Sequence, residues 1–339
     1  MHILLAGGAG YIGSVMAETL LAQGHTVVVY DNLSHGYRDA VSPAATWVEG
    51  DVGDQETLER VLTEHRIDAV IHMAAFIEVG ESVTAPRKYL ENNTLRGVAL
   101  LEAMRRTGVQ RLVLSSTAAV YAPSAEPLTE ASALAPASPY GLSKLWLEQL
   151  LAWYTSRGGL RYAALRYFNA AGATAQCGER HQPESHLIPL VLEAAAGERA
   201  AIQIFGTDYD TPDGTCIRDY IHVSDLAQAH VLALDQLARE PAPIPGVGPG
   251  VIPALSARAY NLGNGSGFSV REVIACAERV CGHSIPVKES PRRPGDVDRL
   301  VASSAKMQAL GWQPRFPALE PIIASAWDWK QRQSHASHS

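Results

Sequence analysis

Short, nearly continuous apolar runs alternate with longer amphipathic segments through the first half of the chain. Ile3–Ala6, Thr26–Tyr30, Thr46–Glu49, Ala69–His72, Arg111–Ser115 and Tyr162–Tyr167 read as strands. Ser14–Gln23, Gln55–His65, Arg87–Thr107 and Pro139–Ser156 carry the helical period. Strands apolar on both faces, separated by helices, belong in a parallel sheet covered on both sides. Right-handed crossovers then give an α/β, doubly wound fold over residues 1–168. Past Tyr167 the pattern loosens. A loop, a helix and a short strand are expected over Pro183–Gly206. Arg218–Val223 and Ala259–Leu262 are expected to return to the main sheet, within segments near 217–235 and 258–264. The rest of 169–330 reads as a smaller C-terminal α/β domain. Pro241–Pro253 is rich in Pro and Gly and reads as an exposed loop, and the polar tail Gln331–Ser339 as frayed.

A length of 339 residues suits about two domains. The net charge of −7, with no basic run, argues against nucleic acid or an anionic membrane as partner. No apolar run approaches the ~18 residues of a membrane span. The opening MHILLAGGAG stops in glycines too early for a signal peptide, and Cys177, Cys216, Cys276 and Cys281 form no C-x-x-C pair. Free thiols and a cytoplasmic location are therefore expected.

Candidate chemistry begins at the first strand, which runs into Gly7-Gly8-Ala9-Gly10-Tyr11-Ile12-Gly13 with a helix to follow. Glycines there permit a tight turn and close approach of the backbone to a pyrophosphate, and the helix start supplies unpaired N–H groups. Asp31 closes the second strand 18 residues after Gly13. An acid at that position hydrogen-bonds a ribose diol and repels a 2′-phosphate, which favours NAD over NADP. Asp51, after the third strand, is placed to meet the adenine. Tyr140-Gly141-Leu142-Ser143-Lys144 is a Y-x-x-x-K, whose two functional residues share a helix face. An ammonium near a phenol lowers its pKa from about 10 towards that of a usable general base. The strand ending at Ser115 leads into Ser116 and Thr117, and ligand crevices of open α/β sheets lie at such strand ends.

These residues resemble the extended short-chain dehydrogenase/reductase superfamily, and within it the UDP-glucose 4-epimerase family along nearly the whole chain. Matching segments include GGAGYIGS from Gly7, YDNLSHG from Tyr30, SPYGLSKL from Ser138, LRYFNAAGA from Leu165, HLIP from His186, RDYIHVSDLA from Arg218 and RRPGD from Arg292. The resemblance implies a Rossmann sheet with tightly bound NAD and a UDP-sugar substrate. Tyr140 takes the proton of the sugar 4-hydroxyl while the C4 hydride passes to NAD. The 4-keto sugar turns over in the pocket and the hydride returns to its other face. Lys144 lowers the tyrosine pKa and holds the nicotinamide ribose, and Thr117 hydrogen-bonds the 4-oxygen.

For the cofactor the resemblance implies Gly7, Gly10, Tyr11, Ile12 and Gly13 at the pyrophosphate, Asp31 and Asn32 at the ribose, and Asp51 and Val52 at the adenine. Met73, Ala74, Ala75 and Asn93 line it, and Tyr167 packs near the nicotinamide. For the substrate it implies Phe168 and Asn169, then His186 and Leu187, and Gln203, Ile204 and Phe205 at the uracil. Arg218 and Arg293 would bind the diphosphate, and Asp296 the uridine ribose. Leu300 would border the hexose C2 region, where tyrosine goes with a tight pocket and a smaller residue admits a 2-acetamido group.

Four departures are visible, two of them being Ala122 after Tyr121, where glycine is usual, and the Pro241–Pro253 loop, which reads as an insertion. Thr117 replaces a common serine with the hydroxyl kept, and Ile77 stands where some relatives carry a lysine. Rival readings are a 4-epimerase of another UDP sugar and a non-catalytic NAD-binding regulator. A dehydratase would need an acid beside the hydroxyl, where Ala118 and Ala119 stand. His181 and His186 are close, but with no H-E-x-x-H or Cys/His framework no metal is expected. Apolar residues on more than one face of Arg87–Thr107 and Pro139–Ser156, among them Leu95, Trp146 and Trp153, suggest a partner, and the resemblance implies a homodimer through a four-helix interface.

Overall fold

A computed structural model describes residues 1–240, 252–293 and 296–336. Its strands are β1 (His2–Ala6), β2 (Thr26–Asp31), β3 (Thr46–Glu49), β4 (Ala69–His72), β5 (Arg111–Thr117), β6 (Arg161–Tyr167), β7 (Asn169–Ala171), β8 (Ile202–Phe205), β9 (Ile217–His222), β10 (Ala259–Leu262), β11 (Gly267–Ser269), β12 (Val287–Ser290) and β13 (Arg299–Leu300). The chain divides into two compact units. The first comprises Met1–Ala122, Glu130–Tyr167 and Ala227–Tyr260; the second comprises Pro123–Thr129, Phe168–Leu226 and Asn261–Ser339.

The main sheet has seven strands in the order β10-β6-β5-β4-β1-β2-β3, and β6 through β3 pair in parallel. This is the doubly wound Rossmann arrangement. β1, β2, β4, β5 and β6 are almost wholly buried, as their continuous apolar runs require. Strand order reverses between β1 and β4, and there the loops after both strands meet. The N–H groups of Met73 and Ala74 donate to the Ala6 carbonyl at 2.8 and 3.0 Å. That switch point is where such sheets bind nucleotides.

In the second unit β9 is the hub of a separate four-stranded sheet, flanked by β7, β11 and β13. The expected return of Arg218–Val223 to the main sheet is therefore corrected, while Ala259–Leu262 does return as β10. β9 gives its backbone bonds to partners of two or three residues, too short to leave an apolar pattern. A two-stranded sheet, β12-β8, completes the unit beside the helices Leu187–Ala195, Val270–Cys281 and Leu319–Ala336. The last of these continues to Ala336, through residues whose polarity alone predicts fraying. Ile322 and Ile323 anchor it in the core, and extending an anchored helix is easy. Loop 241–253 lies outside the described residues except for Ile252 and Pro253.

The expected helix Arg87–Thr107 is interrupted. A π-helical segment, Leu90–Leu95, separates Pro86–Tyr89 from Arg96–Thr107. Such widened turns re-aim side chains. Here the segment buries Asn93, whose amide bonds both the N–H and C=O of Phe76 at 2.9 Å and donates to Ser143 Oγ at 3.1 Å.

Candidate active site

Three glycines shape the turn after β1 in different ways. Gly7 has φ +86°, and a Cβ there would lie 2.5 Å from the Ala74 nitrogen. A Cβ on Gly13 would lie 2.1 Å from the Gly7 carbonyl oxygen. Both are demanded by the protein's own packing. A Cβ on Gly10 would meet only the Gly7 oxygen, at 3.5 Å. The space at Gly10 thus lies open in front of the helix Tyr11–Ala22, whose N-cap has no side-chain hydrogen bond. Tyr11 and Ile12 begin that helix, at the positive end of its dipole. A backbone cradle with no side chain in front of a helix N-terminus fits a pyrophosphate.

Asp31 ends β2, where its carboxylate accepts the Ala9 N–H at 3.0 Å and the Leu33 N–H at 2.9 Å. Burial pushes its pKa up, and those backbone bonds pull it back. The carboxylate is held at the loop rim, where a ribose diol would reach it. Asn32 donates to Asp51 at 2.9 Å. Asp51 also accepts the Gly53 N–H at 2.7 Å and is paired with Arg96, which the sequence reading did not include. Val52 is buried beside it, and Met73, Ala74 and Ala75 form the half-buried floor after β4.

Ser138 and Pro139 start the helix Pro139–Gly158. Ser138 Oγ accepts the Gly141 N–H at 3.2 Å, and proline at the first position lacks a donor the helix would leave unpaired anyway. Tyr140, Lys144 and Glu148 follow at four-residue steps on one buried face. Lys144 Nζ donates to the Ser115 carbonyl at 2.8 Å. Burial lowers its pKa to about 8, against the pull of Glu148. Tyr140 is pushed up by burial, drawn down by a hydrogen bond with Thr117, and raised again by Glu78. The net shift is upward, with the Thr117 hydrogen bond pulling against burial, while Lys144 donates to the strand-end carbonyl. Thr117 pairs in register with Tyr167 at the ends of β5 and β6. The Tyr167 hydroxyl meets His230 Nε2, and burial raises its pKa.

Beneath this face lies a pair the sequence reading missed. Arg166 and Glu148 are fully buried and joined at 2.6 and 3.0 Å. Ser116 donates to Glu148 at 2.5 Å, and Arg166 donates to the Tyr121 hydroxyl at 2.7 Å. The available signal was Glu148 itself, eight residues after Tyr140 on the same face.

The second unit gathers the expected diphosphate residues. Arg218 donates to the carbonyls of Ile217 and Val297 at 2.9 and 2.8 Å and lies 3.4 Å from Asp296. Arg293 donates to Asp296 at 3.1 Å and stacks over Phe205 at 4.6 Å. Leu300 sits opposite Arg218 in the β13–β9 pairing. Asn169 donates to the Asp219 carbonyl at 2.7 Å, and the Phe168 N–H to the Leu262 carbonyl at 3.1 Å. Gln203 is exposed, but Ile204 is buried in the core of the unit, so only its backbone is free to meet a uracil. His186 and Leu187 stand at the start of the helix Leu187–Ala195.

The model of the NAD dependent epimerase/dehydratase family matches residues 3–248. The chain belongs to that family. It is 47% identical to the UDP-glucose 4-epimerase of Halalkalibacterium halodurans, over 99% of this chain and 97% of that one. Among solved structures it resembles the UDP-glucose 4-epimerase from Brucella ovis in complex with NAD (TM-score 0.89, 44% identity, 97% of this chain and 98% of that one). The enzyme of the same name from Bifidobacterium longum, in complex with NAD+ and UDP, gives TM-score 0.89 at 36% identity, covering 98% and 99%. As a member of an NAD-dependent family, the chain has NAD as its cofactor, and the open space at Gly10 suits it.

Proposed function

We propose that the protein interconverts UDP-glucose and UDP-galactose by inverting sugar C4. The carrying observation is the buried Tyr140, hydrogen-bonded to Thr117 and on one helix face with Lys144, in the unit that holds the pyrophosphate cradle. NAD, when bound, supplies the hydride acceptor and donor for C4, and its positive ring favours the tyrosinate. Tyr140 Oη takes the 4-hydroxyl proton and gives it back, and Thr117 Oγ1 holds the 4-oxygen. Lys144, fixed by the Ser115 carbonyl, carries its charge beneath the phenol and offers its remaining N–H groups to the nicotinamide ribose. Arg218 and Arg293 would exchange Asp296 for a diphosphate, which leaves Asp296 for the uridine ribose. Purified protein incubated with UDP-glucose, without added NAD, should yield UDP-galactose; no product with or without NAD would sink the reading.

Leu300 favours a broader substrate range. It is half-buried beside Arg218 and lacks the ring of a tyrosine. Relief of overpacking is typically worth about 1–3 kcal/mol. We therefore expect turnover of UDP-N-acetylglucosamine as well. Leu300→Tyr should lower kcat/KM for that sugar relative to UDP-glucose by about tenfold, at about 1.4 kcal/mol per decade. An unchanged ratio would show that another residue closes the pocket.

A homodimer is proposed on the exposed Leu95, Trp146 and Trp153, of which Leu95 is 63% exposed. Sedimentation equilibrium of a monomer at micromolar concentration would contradict it. Cytoplasmic location remains part of this reading, supported by four free cysteines, three of them buried.

A further inference from the structure

The loop before the helix Leu187–Ala195 contains the same three-residue arrangement twice, Glu179-Arg180-His181 and Glu184-Ser185-His186. In each copy the glutamate Oε1 accepts the backbone N–H of the next two residues, at 2.7–2.9 Å. In each copy the same oxygen lies 2.7 Å from Nδ1 of the histidine two residues on. The two copies converge. The imidazole rings are 5.9 Å apart, and one ligand atom from each of the four side chains lies within 4.8 Å of the others.

Each glutamate faces one imidazole, and a divalent cation is the further group that could draw the two pairs onto one centre. Two carboxylates, 14% and 7% exposed, share this small volume. Like charges so placed repel, and a positive group between them, an imidazolium or a metal ion, relieves that repulsion. Nδ1 of His181 is buried and lacks the alignment of a hydrogen bond despite its 2.7 Å approach to Glu179. That nitrogen has a carboxylate as its close neighbour.

We propose that Glu179, His181, Glu184 and His186 form a structural site for one divalent transition-metal ion, with zinc the best match. Two imidazole nitrogens and two carboxylate oxygens are a set zinc accepts, at about 2.0–2.2 Å in tetrahedral geometry. Magnesium and calcium favour all-oxygen sites. Closure needs side-chain adjustment from the present spread of up to 4.8 Å to ligand separations near ~3.3 Å, the edge of such a tetrahedron. Four protein ligands leave no open position, so the ion is structural. It ties residues 179–186 into one loop and fixes His186 at the start of the following helix. The expectation of no metal rests on the H-E-x-x-H and Cys/His patterns. A doubled Glu-x-His in a loop is neither, and the nearby Cys177 is not in the cluster.

The test uses untagged full-length protein, stripped with a chelator, dialysed, and titrated with zinc chloride. Elemental analysis should give one zinc per chain, with sub-micromolar affinity and a rise of several degrees in Tm. His181→Gln and Glu184→Gln should each weaken binding at least tenfold, while a variant with His335 and His338 changed to Gln keeps it. X-ray absorption at the zinc edge of the wild type should show nitrogen and oxygen neighbours, and this holds even if a variant fails to fold. No stoichiometric zinc, sulfur in the coordination shell, or full binding by both site variants would overturn the proposal. None of these readouts depends on the reaction, so epimerase activity and the metal site stand or fall separately.

Discussion

Among single residues, Tyr140 is the group we propose to move the substrate proton. Tyr140→Phe removes the hydroxyl but keeps the buried ring. Turnover should fall by about 10²–10⁴-fold or more, with NAD and UDP still bound. Retention of a tenth of wild-type kcat would remove Tyr140 from its role. Thr117 lowers the Tyr140 pKa through its hydrogen bond. Thr117→Ala takes that bond away, so the phenol pKa should rise. The pH profile of kcat/KM should then move to higher pH, with part of the lost rate recovered there. A profile that falls in height without moving would assign Thr117 to holding substrate alone. The shared helix face of Tyr140 and Lys144 and the strand-end position of Thr117 were legible from spacing and the strand pattern. The true partner of Lys144 was not, since a backbone carbonyl has no identity in a sequence.

Among elements, the helix Pro139–Gly158 carries Tyr140 and Lys144 of the proposed site, and its position is fixed by a close approach at Gly141. A Cβ there would lie 2.3 Å from the Ala119 carbonyl oxygen, which is backbone and cannot turn aside. Alanine is the better helix former by about 1 kcal/mol, but overpacking against backbone typically costs about 1–3 kcal/mol. Gly141→Ala should therefore lower Tm, and it should lower kcat more than it raises KM, because the first turn holding Tyr140 must move. A more stable variant with full activity would show that the turn yields freely. Glycine inside Y-G-L-S-K reads from sequence as mere punctuation of a helix; its reason is the Ala119 turn, which only the fold brings near. The main-sheet strands were legible because burial on both faces leaves continuous apolar runs. β7, β11 and β13 were not, being two or three residues long.

For the whole molecule, the chain crosses between its units several times, which no local pattern records. Charge is buried in both units, and acid tests this. His72, in the first unit, is 3% exposed, with its pKa lowered to about 3 by burial and by Lys144. His222, in the second, stacks on Phe316 at 4.1 Å and is lowered to about 4 by burial and by Arg315. Both rings are neutral in the fold and protonate near 6.5 when it opens. Between the folded and unfolded values the unfolded chain binds more protons, so stability rises with pH and is lost as pH falls below 6.5. Asp219 works the other way. Its pKa is raised to about 6 by burial, so the fold holds a proton the open chain has released. It therefore offsets one histidine at pH 5. Comparison of wild type with His72→Gln cancels Asp219 and every other group. Per proton the slope is about 1.4 kcal/mol for each pH unit. On moving from pH 7 to pH 5, wild type should lose about 2 kcal/mol more than His72→Gln, read as a larger fall in the urea midpoint. Equal losses in the two proteins would mean that His72 takes up its proton within the fold, and that the end of β4 admits water.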